Sequence, residues 1–301
     1  MSVLQTVALI GFGEAGGILG QDLAAQGVQV RIHDRLLNDP AQRDAMLAKA
    51  RKADVQPFDS AELAIQGAQL VISAVTAGSA LAVAQQAAAH LQAGQVFMDI
   101  NSVAPTTKQA ASAAVGAGAA HYVDAAVMAP VPPQRLQTPI LLGGGRAQQA
   151  AQWLLPLGFN VRVVAEQVGV ASAIKMCRSV MIKGLEALTT ESLATARQYG
   201  AEELVLASLH KSFPSMGWDA RQPHYLISRV AEHGRRRAEE MEEVARTAAD
   251  VGIEPHMSRA IVATQRGLVD AMAAQGIAYA EPFDWMALVD QLYPGRRQSG
   301  D

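Results

Sequence analysis

The sequence predicts an α/β N-terminal domain, a mostly parallel doubly wound sheet, followed by an all-α C-terminal domain. Three observations carry this. Up to about residue 165, short apolar runs alternate with helical segments. A glycine-spaced turn at residues 11–16 follows the first run directly. After Gly169 the strand signal stops and apolar residues recur at helical spacing. Alternation of the first kind is what a sheet covered by helices on both faces requires.

The runs Val7–Ile10, Val28–Ile32, Leu70–Val75, Val96–Ile100, Tyr122–Val127, Ile140–Leu142 and Val161–Val164 read as strands. Their length, β-branched content and nearby glycines favour strand over buried helix. Ile18 to Ala25 reads as the helix opened by the glycine turn. From Val170 to Tyr199 one long helix is expected, with Ile174, Met181, Leu185 and Leu188 in its apolar pattern and Gly200 as its C-terminal cap. Pro214, Gly217 and Pro223 punctuate a connection. Tyr225 to Val251 reads as a second long helix stopped by Gly252, Pro255 starts another, and Phe283–Leu292 forms a last short one. The expected domains are therefore 1–166 and 167–294, with a polar, disordered tail at 295–301.

Composition narrows the function. A chain of 301 residues accommodates two domains. A net charge of −3, from 25 basic and 28 acidic residues, argues against a nucleic-acid partner. The dense basic cluster Arg235-Arg236-Arg237 is followed by Glu239, Glu240, Glu242 and Glu243, which reads as a salt-bridged helix face. One cysteine, Cys177, excludes an intramolecular disulfide and fits a reducing compartment. The first apolar run lacks a preceding basic segment and leads straight into the glycine turn, so it reads as a core strand and not a signal peptide. No apolar stretch reaches the ~18 residues of a membrane helix, and the expected location is the cytoplasm. No His/Cys/Asp/Glu spacing suggests a metal site, and no Gly-x-Ser-x-Gly elbow suggests a hydrolase.

The glycine turn is Gly11-Phe12-Gly13-Glu14-Ala15-Gly16, between an apolar strand and a helix. The first glycine allows a tight turn, the second lets a pyrophosphate approach the backbone, and the third lets helix and strand pack closely. Exposed N–H groups at the helix start would meet the phosphate charge. This is the dinucleotide-binding pattern of a Rossmann domain. It calls for an acidic residue ~20 positions on, and Asp34 stands there. A carboxylate accepts from both ribose hydroxyls and repels a 2′-phosphate, which favours NAD. Arg35 follows and can stack on adenine or attract a 2′-phosphate, which keeps NADP open. The strand ends at Ala74, Val75 and Thr76, and at Asn101 and Ser102, supply further candidates around the ribose and nicotinamide; Thr76 is equally readable as a helix N-cap.

Lys175 stands early in the long helix among small and apolar neighbours, with Ser179 one turn further on the same face. From the residues alone it is either a surface lysine or a functional one. The arrangement resembles the beta-hydroxyacid dehydrogenase family, which includes 3-hydroxyisobutyrate dehydrogenase, tartronate semialdehyde reductase and 6-phosphogluconate dehydrogenase. The resemblance runs from the glycine turn to the helix ending at Gly252. Its most specific points are the glycine turn, Asp99-Ile100-Asn101-Ser102 with Pro105, Asp124-Ala125-Ala126-Val127, and Lys175. The resemblance implies that Lys175 is the catalytic lysine, trading a proton with a substrate oxygen. It also implies that Asn101, Ser102 and Ser179 orient the substrate. The long apolar helices of the second domain should bury more surface than one subunit can cover, so a homodimer through helical packing is expected on fold-level analogy.

Departures from the family pattern imply an altered pocket. Met128-Ala129-Pro130 stands where the family has Ser-Gly-Gly to hold a carboxylate. Ser179 replaces an asparagine, and Ile182 replaces the glutamate of the decarboxylating members. Glu239-Glu240 aligns with a family Lys-Asp pair. These features resemble a 6-phosphogluconate-dehydrogenase-like branch. Arg178 is a candidate for a substrate anion, and His233 for an approach from the later helix. Two rival readings remain: an imine reductase of the same architecture, against which Lys175 counts, and a dinucleotide-binding protein without turnover. A methyltransferase is disfavoured by Gly16 and Asp34.

Overall fold

The computed structural model describes residues 3–118, 120–219 and 221–294. Every apolar run read as a strand forms one. β1 (Thr6–Ile10), β2 (Gln29–His33), β3 (Gln56–Pro57), β4 (Leu70–Ser73), β5 (Val96–Asp99), β6 (His121–Val127), β7 (Ile140–Gly143) and β8 (Val161–Ala165) make one sheet. Its order is β3-β2-β1-β4-β5-β6-β7-β8. All neighbours run parallel except β6 and β7, which pair antiparallel. The chain winds outward from β1 to β3, then restarts at β4 on the other side of β1. In such sheets the ligand crevice lies at that switch, beyond the carboxyl ends of the strands.

Strand periodicity divides the core between the two faces. Val7, Leu9, Leu70, Ile72, Val96 and Met98 are buried in one cluster. Ala8, Ile10, Val71 and Phe97 are buried in the other. Residues i and i+2 share a face, so a sheet covered on both sides needs apolar residues at consecutive positions. Each fully buried Val, Leu or Ile contributes roughly 1.5–3 kcal/mol. The covering helices are α1 (Glu14–Ala25), α2 (Arg43–Lys52), α3 (Ala61–Ile65), α4 (Ala80–Ala88), α5 (Pro105–Gly116), α6 (Val131–Gln134) and α7 (Ala147–Leu154).

The long helix is α8 (Val170–Gln198). Gly169 precedes it at φ +103°, a left-handed conformation that a side chain would strain. The chain divides into two compact units, Met1–Met176 and Cys177–Asp301. The boundary falls inside α8 and not at residue 166, because the first turns of α8 belong to the sheet's packing. Ala171 is fully buried with Ala126 of β6 and Leu141 of β7.

The second unit continues with α9 (Glu202–Ser212), α10 (Gln222–Ala249), α11 (His256–Ala274) and α12 (Trp285–Leu292). The sequence reading missed α9, which lay in the stretch taken as a connection, and the two-residue β3. α10 and α11 pack closely: a Cβ at Gly234 would sit 2.5 Å from the Gln265 carbonyl oxygen. Val230, Ala231, Leu268, Met272, Leu288 and Leu292 form a core here. The arginine cluster differs from expectation. Its partners come from other helices: Arg235 pairs with Asp270 at 2.9 Å, and Arg237, largely buried, with Glu186 at 2.8 Å. The tail read as disordered lies outside the described residues. Among the described residues no helix is long and apolar enough to cross a membrane.

Candidate active site

The glycine turn folds as its spacing requires. Gly11 adopts φ +93°, and a Cβ there would lie 2.3 Å from the Ala74 carbonyl oxygen. A Cβ on Gly16 would lie 2.2 Å from the Gly11 carbonyl oxygen, so this glycine permits the helix to pack on the turn. Gly13 is exposed, and a Cβ there would meet nothing within 4 Å. This is the open approach a pyrophosphate needs. Gly13 is also the N-cap of α1, with no side-chain cap, and the first-turn amides of a helix lack intrahelical partners. Glu14 is exposed, Ala15 half-buried and Phe12 fully buried beneath the turn. The residues present therefore fit a dinucleotide.

Asp34 does two jobs at the end of β2. Its Oδ2 accepts from the Phe12 amide at 2.7 Å, and its Oδ1 accepts from the Leu36 amide at 3.0 Å. One oxygen therefore caps the short 3₁₀ turn that follows and the other holds the glycine turn. Each oxygen has a second lone-pair direction for a ribose hydroxyl. Arg35 is exposed next to it.

Lys49, on α2, escaped the sequence reading. Its Nζ donates to the carbonyl oxygens of Phe12 at 2.5 Å and Gly13 at 2.6 Å, clamping the glycine turn from below. Burial lowers its pKa, while the nearby Asp34 and Glu14 pull the other way. No motif points to it: it is an ordinary lysine in a polar helix, 36 residues from Gly13.

At the next strand end, Asn101 is buried and its side chain is spent on the end of β4. Oδ1 accepts from the Val75 amide at 2.7 Å, and Nδ2 donates to Ser73 Oγ at 3.0 Å. Asn101 thus ties the loop after β5 to the end of β4. Thr76 is exposed and occupies the N-cap position of a short 3₁₀ turn, but its hydroxyl contacts Ser79 Oγ at 3.1 Å and caps no amide. Ser102 is half-buried and accepts a hydrogen bond from Lys175 Nζ. The lysine found by position in the sequence is therefore brought to the strand-end pair.

Met128, Ala129 and Pro130 form the turn after β6, anchored by the Met128 amide to the Pro139 carbonyl at 2.9 Å. Met128 and Ala129 are half-buried and Pro130 exposed. Arg178, Ser179 and His233 belong to the second unit. Arg178 is exposed and Ser179 buried. His233 Nε2 lies 3.2 Å from Glu232 Oε2, and burial lowers its pKa, helped by Arg229, Arg236 and Arg237. Glu240 pairs with Lys183 at 2.6 Å.

Residues 6–157 match the family model described as the NAD binding domain of 6-phosphogluconate dehydrogenase, and residues 196–268 match a domain of unknown function, DUF1932. The chain is 39% identical to a conserved hypothetical protein from Sinorhizobium meliloti 1021, covering 97% of this chain and 98% of that one at a TM-score of 0.78. It is 33% identical to the conserved protein MTH1747, described as structurally similar to 3-hydroxyacid dehydrogenases. That match covers 91% of this chain and all 100% of the other, at a TM-score of 0.71. The fold also matches Mycobacterium tuberculosis 3-hydroxyisobutyrate dehydrogenase with L-serine, at 16% identity, 96% and 99% coverage and a TM-score of 0.74. With its glycine turn, its eight-stranded sheet and its helical second unit, the chain belongs to the beta-hydroxyacid dehydrogenase family, the nicotinamide-dinucleotide oxidoreductases.

Proposed function

We propose that this protein interconverts a small hydroxy acid and its oxo acid with NAD, Lys175 acting as general acid and base. The observation that carries the reading is the hydrogen bond from Lys175 Nζ to Ser102 Oγ. It holds an amine at the carboxyl ends of β4 and β5, where ligands bind in sheets of this kind. A bound nicotinamide would supply the hydride chemistry. The chain's own part is the proton. In oxidation the neutral Lys175 amine takes the proton of the substrate hydroxyl as hydride leaves the same carbon; in reduction its ammonium returns a proton to the carbonyl oxygen. Ser102 Oγ accepts from Lys175, which leaves its own O–H to donate to the same substrate oxygen.

Asp34 supports NAD over NADP, because a 2′-phosphate would face its carboxylate. Met128, Ala129 and Pro130 replace a carboxylate-holding turn with an apolar one, so the substrate's acid group belongs elsewhere. A homodimer in the cytoplasm is part of the reading. Ile174, Met181 and Leu188 recur along α8 and stay exposed at 40%, 67% and 58%. Large apolar residues left in one stripe suit a partner helix.

The test is a screen of small hydroxy acids, among them 3-hydroxyisobutyrate, L-serine and glycerate, for NADH formation. Lys175→Ala is expected to cut turnover by ~10²–10⁴-fold, the usual range for a general acid or base, with NADH affinity nearly unchanged. Undiminished turnover in that variant would overturn the assignment.

A further inference from the structure

Behind the lysine–serine pair lies a buried polar network that the proposed chemistry does not use. Asp99 and Asp124 are register neighbours on the parallel strands β5 and β6. Both are fully buried, 1% and 0% exposed. Two carboxylates side by side repel unless a cation stands between them. That cation is Lys108 from α5, itself 0% exposed. Its Nζ lies 3.0 Å from Asp99 Oδ1 and 3.6 Å from Asp124 Oδ1, and donates to the Asp99 carbonyl oxygen at 2.6 Å.

Each carboxylate anchors one half of the candidate catalytic pair. Asp99 Oδ1 accepts from the Asn101 amide at 2.8 Å, fixing the loop whose next residue is Ser102. Its Oδ2 accepts from Tyr122 Oη at 2.7 Å. Burial and the adjacent Asp99 push the Tyr122 phenol far up, so it stays a donor. Asp124 caps α8 from the neighbouring strand. Its Oδ2 accepts from the amides of Gly169 at 3.0 Å and Ser172 at 3.1 Å, and its Oδ1 from Ser172 Oγ at 2.5 Å. Ser172 lies three residues before Lys175, on the adjoining turn. Lys108 therefore joins the anchor of the Ser102 loop to the anchor of the Lys175 helix.

We infer that Lys108, with Asp99 and Asp124, is a positioning residue that holds Lys175 in register with Ser102. This rests on the reading of Lys175 as the proton carrier, but its test does not use turnover. Both partners of the Lys175–Ser102 bond are anchored by the network, Ser102 through the Asn101 amide on Asp99 and Lys175 through the Ser172 cap on Asp124. The network thus sets the geometry of the pair without joining its chemistry.

The chain has six lysines, Lys49, Lys52, Lys108, Lys175, Lys183 and Lys211, few enough for each Cε signal to be assigned by substitution. The experiment labels lysine with ¹³C at Cε in the full chain saturated with NADH and titrates Lys175 by its chemical shift. Ser102→Ala should displace that titration, because it removes the acceptor of the ammonium. The same substitution is then made in the Lys108→Met and Ser172→Ala backgrounds. Ser172→Ala removes only one bond to Asp124 and retains the buried ion set, so it serves if Lys108→Met does not fold. If the network positions the pair, the displacement shrinks by about half or more in these backgrounds, as coupled sites in a double-mutant cycle do. A displacement of the same size in both backgrounds, or none in the parent protein, overturns the inference. The Lys175 reading fails separately, through undiminished turnover of Lys175→Ala.

Discussion

Lys175 Nζ and Ser102 Oγ, 73 residues apart in sequence, share a hydrogen bond at the carboxyl edge of the sheet. In the proposed reaction this bond would fix the amine before substrate arrives, through a group on the loop after β5. A hydrogen bond to a charged group is worth about 1.5–3 kcal/mol. Ser102→Ala should therefore lower kcat by roughly 10–100-fold. Fluorescence titration should find NADH affinity unchanged, since the glycine turn and Asp34 are untouched. A matching loss of cofactor affinity would assign Ser102 to the cofactor and not to the proton.

Asp34 gives the second prediction, because both its oxygens already accept backbone amides. Asp34→Asn keeps the size but offers one acceptor oxygen, so either the Phe12 or the Leu36 amide is left facing an NH₂ group. An unsatisfied amide costs about 1–3 kcal/mol. The variant should lower the unfolding midpoint and weaken NADH by about tenfold, equivalent to ~1.4 kcal/mol. With the charge gone, NADPH should lose less affinity than NADH does. Isothermal calorimetry with both cofactors checks this, and an equal loss for both would remove Asp34 from cofactor choice.

These two sites differ in how readable they were. Gly11, Gly13, Gly16 and Asp34 are legible because backbone geometry and one carboxylate at a fixed interval impose the spacing. The strands are legible because each is a short apolar run next to a turn residue. β3 is not, since Gln56–Pro57 is a two-residue edge element with both residues exposed. α9 was hidden by its surroundings: Leu204 is 78% exposed, so no clear apolar face marks it, and Pro214 and Gly217 dominate the stretch that follows. Lys49 and Lys108 are the harder loss. Each contacts groups distant in sequence, and nothing local separates a buried lysine in Pro105–Gln109 from a solvated one. Asn101 was legible as important, but not that its side chain would be spent on Val75 and Ser73.

Arg237 gives a third prediction, in the second unit. Its guanidinium meets Glu186 at 2.8 Å, and Gln265 Nε2 donates to the same carboxylate at 3.2 Å. Burial raises the Glu186 pKa and lowers that of Arg237, so for both groups desolvation outweighs attraction. Such a pair contributes little net stability, yet removing one partner strands the other. Arg237→Met should destabilise by about 3–5 kcal/mol. Adding Glu186→Gln should recover most of that loss, because the amide needs no counter-ion. Urea unfolding of the two variants and the parent decides it; equal stability of single and double variants would refute the stranded-charge account.

His233 carries the last prediction, and its sign follows from linkage. Burial lowers its pKa in the fold, with Arg229, Arg236 and Arg237 adding to the effect and Glu232 opposing it. Between the lowered folded value and the ordinary value of 6.5, the unfolded chain binds a proton that the folded chain refuses. Stability contributed by the neutral ring is thus full above 6.5 and is lost as pH falls through the folded value. His233→Gln cannot take up that proton. Thermal midpoints measured from about pH 7.5 down to about pH 5, the range where histidine titrates, should show the variant losing less stability on acidification than the parent. Taking the difference between the two proteins cancels the titrating groups that do not touch His233, and Glu232, 3.2 Å away, titrates mainly below this range; parallel curves would therefore mean that folding does not shift the His233 titration.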